Sequence, residues 1–159
     1  MNSENKIDIK EIQSIRFKWD RIANVNTVIL VMGMLGFAAY MLVKLQGNGI
    51  GHIIGAVLLI LITAILSIFT PLGLTVDDEY IVINKLLGRK IIRKEDIVAI
   101  TSIDASIVRR SGRLAGSFGG FGYWGIYRSR KIGSFSLYAT NMERLALIET
   151  AKKKYIINY

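Results

Sequence analysis

The chain of 159 residues contains no cysteine, one proline and one histidine. Without cysteine no disulfide framework can form, wherever the chain resides. With His52 as the single histidine, a multi-histidine metal site and a Ser-His-Asp triad are both excluded outside the apolar region that contains it. Charge is absent too, but only locally. "VNTVILVMGMLGFAAYMLV", 25–43, runs 19 residues without a charge, and "IGHIIGAVLLILITAILSIF", 50–69, runs 20. At 1.5 Å of rise per residue each would span roughly 30 Å, the thickness of a bilayer's hydrocarbon. The apolar share of 52% is also too rich for an ordinary soluble domain of this size. Two transmembrane helices are therefore expected, and neither carries an acidic or basic residue that would mark an ion path.

Sidedness follows from what connects and flanks these spans. The segment before the first is 24 residues long and no small-x-small site follows the apolar run, so it does not read as a cleavable signal. "KLQGNG", 44–49, is long enough only for a turn, which predicts a tight antiparallel hairpin with both chain ends on one side. Of the 21 basic residues, five lie in 1–24, one (Lys44) in the connection, and fifteen from Thr75 onward. Lys and Arg stay on the cytoplasmic face close to helix ends. The expectation is a two-span protein of the cell (plasma or inner) membrane with both termini cytoplasmic. Gly33 and Gly36 in the first span, and Gly51-x-x-x-Gly55 in the second, suit close helix packing.

Outside the spans, residues 1–24 form a leader in which Ile12, Ile15, Trp19 and Ile22 recur at helical spacing, predicting an interfacial amphipathic helix over 12–22 or a partly ordered segment with Trp19 at headgroup level. After Pro71 and Gly73 the period changes. "LTV" at 74–76, "YIVINK" at 80–85, "RKIIR" at 89–93, "IVAITSID" at 97–104, "SFSLYAT" at 134–140, "LALIET" at 145–150 and "KYIIN" at 154–158 predict seven short strands. Strands of this length and spacing point to a small antiparallel sandwich or barrel.

The tail resembles the small bacterial pleckstrin-homology (PH)-like domains. The residues that carry the resemblance are "GLTVDDEYIVI" leading into "RKIIRKEDI", then "GFGYWGIYRSRKIGSFSLYATN", then "LALIET…KKYII", over about 72–158. The resemblance implies a membrane-anchored α+β protein: a two-helix transmembrane hairpin (25–70) followed by a PH-like barrel of about seven antiparallel strands (72–159). It also implies a C-terminal amphipathic helix across one end of the barrel, yet the sequence stops at Tyr159, directly after the last strand. The leader, the region 105–133, the membrane or another subunit must then cover that end.

"GRLAGSFGGFGYWGIYRSRKIG", 112–133, holds seven glycines and the spacing Gly120-x-Gly122-x-x-Gly125 of the dinucleotide fingerprint. That fingerprint needs a helix opening at its last glycine, whereas "IYRSRKIGSFSLY" is not amphipathic. No Gly-Lys-Ser/Thr ending offers a phosphate loop either, so no cofactor is expected. Arg109, Arg110, Arg113, Arg128, Arg130 and Lys131 bracket Phe118, Phe121, Tyr123, Trp124 and Tyr127. Basic groups gain about 1 kcal/mol each near an anionic leaflet, and amphipathic aromatics settle at the interface. The alternative is that the aromatics plug the open barrel end while the arginines form a solvated rim. Single-stranded nucleic acid would use the same residue types, but membrane tethering argues against it.

The reading is a non-catalytic, membrane-anchored binding or adaptor protein whose Arg109, Arg110, Arg113, Tyr123, Trp124, Tyr127, Arg128, Arg130 and Lys131 contact anionic lipid headgroups or a protein partner. The alternative is an assembly subunit that homo-oligomerises or completes its barrel with a partner. No catalytic constellation and no metal-ligand cluster is legible.

Overall fold

Two long helices come first because nothing in 25–43 or 50–69 interrupts them. In a computed structural model that describes residues 6–43 and 49–159, α1 spans Arg21–Val43 and α2 spans Gly49–Ile68. The expected tight turn at 44–49 lies, apart from Gly49, outside the described residues. Both helices are long and apolar enough to cross a membrane. Among their described residues only Ala23, Ala38 and Ala56 are buried, while Ile29, Met32 and Leu58 stand exposed. A core helix of a soluble domain would show the opposite. Of the four glycines expected to serve close helix packing, Gly55 does so, since a Cβ there would lie 3.0 Å from Met41 Sδ, whereas Gly33, Gly36 and Gly51 face open space.

The β region contains β1 (Ile15–Arg16), β2 (Pro71–Val76), β3 (Tyr80–Lys85), β4 (Arg89–Arg93), β5 (Ile97–Ile103), the short helix α3 (Ala105–Arg109), β6 (Gly112–Gly119), β7 (Gly122–Ser129), β8 (Gly133–Ala139), β9 (Leu145–Thr150) and β10 (Lys154–Asn158). They form two sheets, β1-β2-β3-β4 and β5-β9-β10-β8-β7-β6, in which only the β8–β10 pair is parallel. All seven expected strands are present. β6 and β7 are additional and come from the glycine-rich stretch, in which no strand was expected. The sheets do not close into the expected barrel, because β4 and β5 are joined by a 3₁₀ turn at Lys94–Asp96 instead of pairing.

Alternation along the strands builds two cores. Ile81 and Ile83 of β3, Ile92 of β4, Ile100 of β5, Ile148 of β9 and Ile157 of β10 meet between the sheets. On the other face of the larger sheet, Tyr123, Tyr127, Leu137, Leu147 and Ile156 pack with Val108 of α3 and Ala23 of α1.

The leader does not form the helix expected over 12–22. It runs extended, apart from a 3₁₀ turn at Ile9–Glu11 capped by Asp8. The spacing of its apolar residues imitates a helix, but two open sheet edges offer backbone partners that a helix would leave unused. At one edge the Ile7 amide donates to the Ile100 carbonyl at 3.0 Å, and at the other β1 pairs antiparallel with β2. The leader thus crosses from β5 to β2 and lines one seam between the sheets, with Ile7, Ile12 and Phe17 buried in the inter-sheet core. Leader and α3 each cover apolar surface of the sheets, the leader in the inter-sheet core and α3 through Val108 on the other face. Phe17→Ala is expected to destabilise the β domain by about 3–5 kcal/mol, read as a lowered denaturant midpoint of the detergent-solubilised chain; an unchanged midpoint would show that the leader is dispensable.

Candidate functional site

The glycine-rich stretch is a β-hairpin whose glycines let two backbones approach. Gly116 and Gly125 face each other across β6 and β7, with φ of 120° and 129°, and a Cβ on either would fall 2.1 Å from a carbonyl oxygen of the opposite strand. Side chains alternate around that pair. Tyr123 and Tyr127 point into the core at 1% exposure, so the structure removes them from the interfacial contacts expected of them. Trp124 points to the other face, half-buried and stacked on Phe69 at 5.0 Å between ring centres.

The tip of the hairpin docks on α1. Phe121 takes φ of 56°, unusual for a residue with a side chain, and its amide donates to Thr27 Oγ1 at 2.8 Å. The Ser117 hydroxyl donates to the Gly120 carbonyl and closes the tip. Two turns nearer the start of the helix, the Tyr123 hydroxyl donates to both oxygens of Asp20, at 3.0 and 3.2 Å. From tip towards base, the hairpin therefore runs along α1 and out of its apolar segment.

At the base of the hairpin lies a groove of about 470 Å³ in which Arg110, Arg128, Arg130 and Lys131 converge with Ser106 and Ser129. Four of the six expected basic residues share this groove. Arg109 and Arg113 are exposed outside its lining. Helix α3 brings Ser106 and Arg110 to it, started by Asp104, whose carboxylate accepts the Ser106 amide at 2.7 Å. Hydrogen bonds from Ser106, reinforced by the nearby charges of Arg109 and Arg110, hold the Asp104 carboxyl below its ordinary value. Among the described residues no carboxylate forms an ion pair with Arg110, Arg128, Arg130 or Lys131. Such a groove can seat a multivalent anion: guanidinium forks and an ammonium meet it from two chain segments, with hydroxyls between them. From Gly122 at the tip to Arg128 at the base is six residues of extended chain, about 20 Å.

The "YATN" of 138–141, part of the stretch that carries the family resemblance, clamps the leader. The Thr140 hydroxyl and the Asn141 side-chain Nδ2 both donate to the Lys18 carbonyl, at 2.9 and 2.8 Å. Buried Asn158 holds that crossing in turn, accepting from the Thr140 amide at 2.8 Å and donating to the Asn141 carbonyl at 3.0 Å. Sequence reasoning passed over the hairpin's two strands; alternation at Tyr123, Gly125 and Tyr127 against Trp124, Ile126 and Arg128 was the available signal.

A two-sheet β domain with a basic groove at one end follows directly on two helices long and apolar enough to cross a membrane. The chain belongs to the bacterial PH domain family, whose model matches residues 72–158. Comparison with curated proteins and with solved structures gave no match to the chain.

Burial pushes the Tyr127 hydroxyl from 10.0 up to about 12, against a smaller opposing pull from Arg113. The neutral phenol is the folded form, so its contribution is complete below pH 10 and is lost as pH rises towards 12. Tyr127→Phe, which leaves nothing to ionise, is expected to shrink the fall in stability between those two pH values. Denaturant midpoints on either side of pH 10 check this, and an identical fall in both proteins would refute it.

Proposed function

We propose that the protein is a non-catalytic binding module, held at the cytoplasmic face of the cell membrane by its two helices, whose basic groove receives an acidic segment of a protein partner. The working unit on this reading is the leader together with residues 72–159. The single observation that carries it is the convergence of Arg110, Arg128, Arg130 and Lys131 on one groove without a carboxylate paired to any of them among the described residues. Four like charges gathered in one place raise the local potential by several kT and attract an anion.

Distance favours a protein segment over lipid headgroups. The tip residue Phe121 meets α1 at Thr27, within the first turns of the apolar run. The groove stands about 20 Å further along the strand, more than one Debye length of roughly 8 Å at physiological ionic strength from the level of the headgroups. Membership of the bacterial PH domain family supports a binding role over a catalytic one. Sidedness is supported by the basic residues nearest the helix ends: Arg16 and Lys18 before α1, Arg21 at its first position, and Lys85, Arg89 and Lys90 beside the end of α2.

Two experiments test this reading. The full chain in neutral-lipid nanodiscs is expected to bind a fluorescent oligoglutamate peptide, more weakly at high salt. Arg128→Glu with Arg130→Glu should weaken it by about tenfold or more, some 1.4 kcal/mol. Salt-sensitive capture of anionic vesicles without peptide binding would instead establish headgroups as the ligand, and binding of neither would remove the groove from consideration. For orientation, a C-terminal fluorescent-protein fusion should be bright and an alkaline phosphatase fusion at the same point inactive; the reverse pattern would place the domain outside the cell.

A further inference from the structure

We propose that the turn between β3 and β4, Leu86-Leu87-Gly88, is a wedge that dips into the bilayer beside the end of α2, giving the domain a lipid contact separate from the basic groove. The inference rests on the reading of α1 and α2 as membrane spans.

A helix leaves its last carbonyls without intrahelical partners, and this turn supplies donors. The Leu87 amide donates to the Ile68 carbonyl at 3.2 Å, and the Leu86 amide donates to the Thr70 carbonyl at 2.9 Å. These two bonds fix the turn against the residues at which α2 ends. Gly88, with φ of 80°, reverses the chain, and the Lys85 amide closes the turn on the Gly88 carbonyl at 3.1 Å. Both leucine side chains are consequently presented outward, Leu86 at 55% and Leu87 at 64% exposure, next to Phe69 at 41%. Adjacent exposed leucines fixed at the end of an apolar span meet hydrocarbon or headgroups before any soluble partner, and apolar surface is stabilised there.

Charge placement agrees with this orientation. Lys85 sits over the Phe69 ring at 5.6 Å, and Arg89 and Lys90 follow the turn, so cations flank the leucines at the level where lipid phosphates would lie. The acidic cluster Asp77, Asp78 and Glu79 occupies the opposite end of β2 and β3, about 20 Å away at the rise of an extended strand. An anionic leaflet would attract the first end and repel the second. The tip of the β6–β7 hairpin meets α1 and this turn meets α2. With the wedge immersed, the domain would be held at two points and not swing on the helices.

The absence of native cysteine makes the test direct. Single substitutions Leu87→Cys, Leu35→Cys and Val98→Cys, each labelled with an environment-sensitive nitrobenzoxadiazole probe, are placed in the full chain and reconstituted into vesicles. The vesicles carry lipids spin-labelled high on the acyl chain. Leu35 lies within α1, and Val98, exposed at 72%, lies on β5. The expected result is quenching at Leu87 at least twofold stronger than at Val98, with Leu35 also quenched. Quenching at Leu35 but not at Leu87 would overturn the wedge and leave the spans intact. Quenching at neither would overturn the spans, and the wedge with them.

Discussion

Asp20 is the residue on which the arrangement turns. One of its oxygens accepts the Ala23 amide at 2.6 Å and so caps α1, while both oxygens accept the hydroxyl of Tyr123. Tyr123 is itself fixed in the core by β7, so the first residue of the apolar helix inherits the position of the β domain. Hydrogen bonds from Thr140 and Asn141 to the carbonyl of Lys18 secure the chain two residues earlier. Burial and the bond to Asp20 push the Tyr123 hydroxyl well above its ordinary value, which keeps it a donor throughout the physiological range.

Little slack remains between sheet and helix at either junction. Asp20 is followed at once by α1, and two residues separate Ile68 from β2. A domain on a flexible linker samples many orientations, and any site on it points everywhere on average. Here the hairpin that contributes half of the groove is the one whose tip rests on α1, so the groove is fixed relative to that helix. The stretch that looked like one aromatic and basic surface is divided by strand geometry: the core-facing tyrosines and the tip lie towards the helix, the cations at the other end. Fixing the groove in this way also removes an ordering term that would otherwise oppose association.

Much of this was legible in the residues. The bounds of β3, β4, β9 and β10 follow from β-branched runs between turns, and the two apolar helices from the absence of charge. The β6–β7 hairpin was hidden because glycine at 116 and 125 replaces the side chains that would have completed the alternation. No residue-type argument separates Tyr123 and Tyr127 from Trp124, since only the parity of the strand sends the tyrosines inward and the tryptophan outward. The leader misled for a different reason. Ile12, Ile15, Trp19 and Ile22 fit a helical face, but the outcome was decided by unpaired edges of β2 and β5, strands remote in sequence. Of the six basic residues, clustering in sequence identified the four in the groove but could not tell them from Arg109 and Arg113.

On the proposed reading, a groove fixed relative to α1 would select its ligand by position as well as by charge. An acidic segment diffusing freely in the cytoplasm would depend on steering by four cations, a contribution weakened by physiological salt. A segment belonging to a protein that also sits at the membrane is confined to a thin layer, and its effective concentration at the groove rises steeply when its own reach is about 20 Å. On the proposed reading, the junction at Asp20 would favour a membrane-associated partner over a freely soluble one, and the selectivity would come from geometry that the groove residues alone would not supply.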